Sequence, residues 1–242
     1  MRGLTILLAA GILGLGVAVG GFFVGDGFLS ARLGDRYVTA KGLSEQDVKA
    51  DLAIWPIRFV VTGNNLEDVR RDLEANADTV RAFLTSHGFG EDEITIDAPS
   101  VTDLQAQAYR SGPITNRFIV EQLVKLRSTK VDAVGTANRD AAVLLQRGVI
   151  LTSDRGPSEP VYVFTGLNDL KTEMVAEATK HARATAAQFA SDSGAKLAGI
   201  RRADQGIFQI RARDDAPGIS ESGQIDKTVR VVSTLQYYLA DE

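Results

Sequence analysis

The sequence predicts an α+β fold, mostly antiparallel sheets with packed helices, preceded by one N-terminal transmembrane helix. Three features carry that expectation. An uncharged stretch runs from Leu4 to Val24. Three later stretches place apolar residues at steps of three and four, the period of an amphipathic helix. Between them lie segments that alternate apolar and polar residues, and several come in pairs. Neighbours in sequence can therefore fold back on each other as antiparallel strands. The order is strands, helix, strands, helix, strand, helix, strands. A strand, a helix with a glycine stop and then paired strands recur around both long helices, which admits a degenerate internal duplication without a strict repeat.

Leu4–Val24 holds 21 residues. At roughly 1.5 Å per residue they form a helix about 31 Å long, against a hydrocarbon core roughly 30 Å thick. Gly11, Gly14, Gly16, Gly20, Gly21 and Gly25 lie in or beside it. In a soluble helix each costs roughly 1 kcal/mol relative to Ala; in a bilayer they are tolerated and let a partner backbone approach. Gly16 with Gly20, and Gly21 with Gly25, have the G-x-x-x-G spacing of a helix-packing face. A cleaved signal peptide and a retained anchor are the two readings. The run exceeds the usual signal core and no A-x-A site follows it, which favours an anchor at residues 1–30 and a folded part at 31–242. The few residues ahead of the span favour an amino end inside and the bulk outside, in a bacterium the periplasm; release to the periplasm after cleavage is the alternative. Gly14-Leu15-Gly16 is no dinucleotide motif, since no strand precedes it and the third glycine is out of register.

Tyr37–Gly42 reads as a short strand. Ala50–Thr62 is β-rich, and Pro56 within it implies a strand at an edge, bulged or broken there. Asn65 reads as a helix cap with an early acid at Asp68. Leu66, Val69, Leu73, Ala77, Val80 and Leu84 form the apolar stripe of the helix that follows, and Gly88 ends it. Ile94–Asp97 and Val101–Tyr109 read as strands, Gly112-Pro113 as a turn, and Arg117–Arg127 as a strand with Phe118, Val120, Gln122, Val124 and Leu126 on one face. Val131–Gln146 is a weaker helix with Val131, Val134, Ala141, Leu144 and Leu145 apolar, stopped by Gly148. Val161–Phe164 is a strand. The longest helix spans Leu170–Ser193, with Leu170, Met174, Ala178, Ala182, Thr185, Ala186 and Phe189 as its inner face and Gly194 as its stop. Leu197–Asp204, Ile207–Arg213 and Thr228–Leu239 complete the strands. Asp214–Asp226 is rich in turn formers and reads as a mobile loop.

Composition narrows the function. With 44% hydrophobic and 24% charged residues the chain is globular rather than disordered or polytopic. A net charge of −4 argues against nucleic acid as a partner. The absence of Cys excludes disulfides, thiolate metal sites and a Cys nucleophile. His87 sits at a helix end, where a cation suits the dipole. His181 lies one turn after Glu177, within reach of an i,i+4 contact. Neither belongs to a metal-ligand spacing. Ser193-Gly194-Ala195-Lys196 matches S-x-x-K, but it straddles a helix end and lacks partner motifs. Glu91-Asp92-Glu93 and Asp214-Asp215 read as solvated turns without a calcium-loop pattern. Arg201-Arg202, Arg211 and Arg213 are the densest basic spots, read first as a solvated strand face and otherwise as contacts to another subunit or to headgroups. Trp55, Tyr237 and Tyr238 are the aromatics expected at a sheet edge, as an interface or as ordinary packing.

Four features together resemble SIMPL-domain proteins, also called the DUF541 or periplasmic immunogenic protein family. Val38-Thr39-Ala40-Lys41-Gly42 with Val48-Lys49-Ala50-Asp51-Leu52-Ala53 looks like the opening strand pair. Gly88–Ile94 looks like the step after the first helix. Phe118–Ser128 followed by Val131-Asp132-Ala133-Val134 looks like the central strand and second helix. Ala176–Ile200 looks like the third helix and its exit. The resemblance spans about Arg36 to Leu239. The sequence departs from the pattern at Ala50, where the family often has Pro, and in its anchor. The resemblance implies an envelope or periplasmic protein without assigned catalytic residues; some members form ring-like or channel-like homo-oligomers, and some are linked to stress resistance.

The expectation is thus a non-catalytic, membrane-anchored envelope protein facing the periplasm, self-assembling, with a structural or stress-protective role. No catalytic residue, cofactor or metal is expected. The partners are the membrane, through the N-terminal helix, further copies of the chain, and an envelope protein. The alternative is a monomeric periplasmic binding module for a peptide, lipid or envelope protein, using an edge strand near Pro56 and the loop Asp214–Asp226.

Overall fold

The computed structural model describes residues 11, 13–25, 36–106, 113, 115–153, 158–214, 216–218 and 220–241. Residues 13–25 are helical and form α1. The other elements, in chain order, are β1 (Tyr37–Lys49), β2 (Leu52–Gly63), α2 (Leu66–Ser86), β3 (Ile94–Ile96), β4 (Ser100–Asp103), β5 (Phe118–Ser128), α3 (Val131–Asp140), α4 (Ala142–Gln146), β6 (Ile150–Leu151), β7 (Val161–Val163), α5 (Leu167–Asp192), β8 (Ala195–Gln205), β9 (Gln209–Ala212) and β10 (Asp226–Asp241). The α+β class and the antiparallel sheets agree with the sequence expectation.

The expected membrane span begins outside the described residues, which omit Leu4–Ala10 and Ile12. Among the described residues no helix is long and apolar enough to cross a membrane. Along α1, Leu13, Leu15, Val17, Phe22, Phe23 and Val24 are exposed. A Cβ added at Gly16, Gly20, Gly21 or Gly25 would meet open space.

The rest divides into two compact units, and the division passes through β1, α5 and β10. One unit is built from residues 46–171 and 209–229. Its six-stranded sheet centres on β2 and β5, paired antiparallel from Ala53 opposite Ser128 to Gly63 opposite Phe118. β3 and β4 extend β5, while β6 and β7 extend β2. Pro56 sits in an unbroken strand, paired there with Lys125 of β5 and open on the other flank, so the expected edge holds locally and no bulge or break interrupts the pairing with β5. The reason is local. β7 pairs with Leu52–Ile54 and β6 with Phe59–Val60, so the one gap on that side of β2 falls at Pro56, which has no N–H to donate.

One face of this sheet, with Trp55, Ile57, Phe59, Val120, Val124 and Leu126, packs against α2, α3 and α4. In α2, Asn65 Oδ1 accepts the Glu67 amide, as a cap should, and Gly88 takes the positive φ of 87° that ends the helix turn. Val69, Leu73, Ala77, Val80, Phe83 and Leu84 are buried, whereas Leu66 in the first turn is half exposed. The single helix expected over Val131–Gln146 is two, α3 and α4, meeting at Ala141, and Leu145 points outward. The strand expected over Val101–Tyr109 stops at Asp103, where a turn follows; residues 107–109 and Gly112 lie outside the described residues.

The other unit is built from residues up to Glu45, Thr172–Phe208 and Arg230 onward. β10 lies between β1 and β8, and pairs with β8 antiparallel from Ser233 opposite Gln205 to Asp241 opposite Ala195. β1 is longer than the hexapeptide expected and alternates strictly, with Ala40, Gly42 and Ser44 inward. α5 covers them with Met174, Ala178, Ala182, Ala186 and Ala190, a row at every fourth residue. Thr185 and Phe189, expected on that face, are exposed. A small-residue row lets a helix backbone come close to a sheet, and Gly42 lies where α5 is nearest: a Cβ there would collide with the Ala178 carbonyl and the Ala182 amide. Two polar contacts hold the approach. The Ser44 hydroxyl donates to Glu177 at 2.5 Å, and His181 Nδ1 meets the Leu43 carbonyl at 2.7 Å. Glu177 and His181 thus both turn to β1, in place of the contact with each other that their spacing allows.

Candidate functional site

A cleft with a volume of about 350 Å³ lies in the unit built on the six-stranded sheet. Three segments form it. α3 turns Val131, Val134 and Ala137 into the core, and its flank brings Gly135, Asn138 and Arg139 to the cleft. The second segment is Glu159, Pro160 and Tyr162. It is held by the Trp55 indole N–H, which donates to the Ser158 carbonyl at 2.9 Å, and by pairing of Tyr162 with Ala53 on β2. Just beyond, Asp51 accepts the Thr165 amide and hydroxyl, both at 2.9 Å. The third is the loop from Asp214 to Asp226, which contributes Asp214, Gln224, Ile225 and Asp226.

The described part of that loop is tied at several points rather than free. Glu221–Gly223 form a 3-10 turn capped by Ser220. The Lys227 ammonium, fully buried, donates to the Glu221 carbonyl at 2.7 Å and is paired with the Glu221 carboxylate. The Ala50 amide donates to Ile225 O at 2.8 Å. Gln224 Nε2 donates to Asp214 O at 2.9 Å. Arg213 bridges Asp214 at 2.9 Å and Asp226 at 3.1 Å. The Arg213 hydrogen bond holds the Asp214 carboxyl below its ordinary range. On the cleft floor burial pushes the Tyr162 phenol up, opposed by Arg139 and aided by Asp132, so it stays protonated and can donate.

A smaller hollow of about 150 Å³ has Arg58, Asp97, Ser100 and Glu121 among its walls, and Arg58 Nε is buried there without a hydrogen bond.

The residues singled out from the sequence are dispersed. Trp55 is 2% exposed and packs edge-on to Phe83 inside the core; Tyr237 is 4% exposed. Both are interior rather than rim because they lie on the inward phase of strands that are covered on that face. Tyr238, on the opposite phase, is exposed and with Tyr37 flanks the Arg201 guanidinium, at 6.0 and 3.9 Å from the ring centroids. Arg202 pairs with Asp204, Arg211 bonds Gln209, and Arg213 serves the cleft loop. His87 Nδ1 lies 2.9 Å from Phe83 O and Nε2 3.2 Å from Asp140. Ser193 Oγ donates to Ala190 O, closing the helix end rather than serving a lysine. Gly16, Gly20, Gly21 and Gly25 lie on α1. Of Glu91-Asp92-Glu93, Glu93 is not a solvated turn residue. Its side chain is 15% exposed and accepts the Gly90 amide at 2.8 Å and Lys130 at 3.2 Å. Burial pushes the Glu93 carboxyl up, but the Ser128 hydroxyl, the Gly90 amide and Lys130 outweigh it and hold it below its ordinary value. Asp215 lies outside the described residues. Tyr162, Arg139, Asn138, Glu159 and Lys227 escaped sequence reasoning. The one local signal was Gly135 in the middle of a helical stretch.

No curated protein matches the chain. A family model described as "Protein of unknown function (DUF541)", SIMPL, matches residues 38–236, which include the cleft and both sheets apart from the ends of β1 and β10. The chain belongs to the SIMPL family.

Proposed function

We propose that this chain is a membrane-anchored envelope protein facing the periplasm, that it self-assembles, and that its role there is structural or stress-protective rather than catalytic. The observation that carries the reading is the open edge of the sheet β1–β10–β8. β8 is eleven residues long and among the described residues pairs only with β10. Ile200 on it and Ile207 just after it are both more than half exposed. Beside them stands the Arg201 stack on Tyr37 and Tyr238. An edge strand presents unpaired N–H and C=O groups, and another strand of the same protein can satisfy them. β1, at the other end of the order, offers the complementary edge, and repeated head-to-tail pairing closes a ring when the rotation allows. The uncharged run Leu4–Val24 supports the anchor.

The test is the mass of the full chain, purified in mild detergent, by light scattering during gel filtration. The expected result is one discrete multiple of the 26.0 kDa chain, shifted toward monomer by Ile200→Lys, which sets a charge on the edge. A clean monomer for the unmodified chain overturns self-assembly. Release from membranes by an alkaline wash removes the anchor from the proposal.

A further inference from the structure

We propose that the 350 Å³ cleft binds a small zwitterion, an amino acid or dipeptide, with its carboxylate on Tyr162 and Arg139 and its ammonium on Glu159. Tyr162 is 6% exposed, and its hydroxyl, facing the cleft, has no hydrogen-bond partner among the described residues. The hydroxyl itself opens to the cleft and is not among the buried atoms left without a partner, so it is a donor that a ligand can meet. Gly135 shows where it points. The position a Cβ would take on Gly135 lies 3.3 Å from the Tyr162 hydroxyl and 3.9 Å from Arg139 Nη1. Two donors therefore converge on a shelf that carries no side chain. Glycine costs roughly 1 kcal/mol in a helix interior, and a larger residue here would press on the phenol and close the shelf. Among the described residues Arg139 has one side-chain hydrogen bond, to the Thr136 hydroxyl at 3.1 Å, which leaves most of its N–H groups for a ligand.

The charges select the ligand class. The cleft is lined by Arg139, Glu159, Asp214 and Asp226, a lining balance of 1 − 3 = −2. Arg213, which bridges Asp214 and Asp226, brings it to −1. A phosphate dianion would be repelled by this surround. A carboxylate that carries its own cation would not, and Glu159, exposed and without an ion pair among the described residues, is the acceptor left for that cation. The volume suits a ligand at the small end of the usual range for such sites, roughly 300 Å³ upward.

The test is calorimetric titration of the full chain with L-alanyl-L-alanine, its N-acetyl form, its C-terminal amide and inorganic phosphate. The dipeptide should bind saturably, and each blocked form should bind about tenfold or more weakly, as expected when a charge-assisted contact is lost. Tyr162→Phe keeps the ring and removes only the donor; it should weaken the dipeptide roughly fivefold. Glu159→Gln, at an exposed residue whose change leaves the fold intact, should make the dipeptide bind no better than its N-acetyl form. Three results would each overturn the proposal: no saturable binding of the dipeptide at millimolar concentration, blocked forms binding as tightly as the dipeptide, or phosphate binding as tightly as the dipeptide.

Discussion

Gly42→Ala is the sharpest probe of how α5 is seated. An added Cβ would stand 2.9 Å from the Ala178 carbonyl carbon and closer still to the Ala178 oxygen and the Ala182 nitrogen. Carbon pairs rest at roughly 3.5 Å or more, so the helix must withdraw by at least about 0.6 Å (3.5 − 2.9). All the obstructing atoms are backbone, and no rotamer change relieves them. A gap of that size forfeits roughly a quarter or more of the dispersion energy along the seam. It also stretches the contacts from Ser44 to Glu177 and from His181 to Leu43, each worth about 1 kcal/mol. Overpacking at a rigid site costs about 3 kcal/mol, which for a chain of this length lowers Tm by roughly 6–12 °C. Gly42 does not have positive φ, so the effect is steric alone. Gly199 in β8 is the control, because nothing lies within 4 Å of the same added atom; Gly199→Ala should change stability by no more than about 1 kcal/mol. Circular-dichroism melts of the two variants decide it. A Gly42→Ala Tm within 2 °C of the unmodified chain (roughly 1 kcal/mol or less), or an equal loss in Gly199→Ala, would refute the close seating.

Three further outcomes are expected. Leu84→Ala, at a fully buried position, should cost about 2–5 kcal/mol in urea unfolding by leaving a cavity in the helix-covered core. Glu93 has a carboxyl held below its unfolded value, so its stabilisation is present above the unfolded pKa of roughly 4.3 and is lost as pH falls through the lower folded one. The urea midpoint of the unmodified chain should thus fall on acidification through that window, and Glu93→Gln should flatten the fall; equal acid limbs in the two proteins would remove Glu93 from the account. Gly16→Ile with Gly20→Ile should lower the oligomer mass in detergent if α1 takes part in assembly, and an unchanged mass assigns assembly to the folded part alone.

Local chemistry accounts for what the sequence made legible. The α2 cap at Asn65 and its stop at Gly88 depend on residues adjacent in the chain, and both stand where expected. The inward face of β5 follows from strict alternation. The errors have the same origin in reverse. Leu66, Leu145 and Phe189 fit a helical stripe by spacing, yet each lies at the margin of what the sheet can cover. Pro56 breaks an isolated ladder, but here the neighbouring strands leave a gap at that residue. Trp55 and Tyr237 were legible as important aromatics, whereas whether they faced inward depended on which phase of each strand a helix covers. The cleft was not legible at all. Gly135, Tyr162 and Asp226 are separated by dozens of residues, and no periodicity relates them.

The sequence by itself determined most of the elements, their order, the family-like arrangement and the absence of any thiol chemistry, because helix period, strand alternation, caps and composition are properties of neighbours along the chain. Only the tertiary structure decided that α5 is seated on Gly42 through a row of alanines, that the loop before β10 is pinned by buried Lys227, and that Tyr162 and Arg139 converge over a bare glycine. Those features depend on which surfaces meet, and burial changes the worth of a residue according to what lies opposite it. The same alanine is a weak hydrophobe in a sequence and a backbone contact surface once a sheet stands against it.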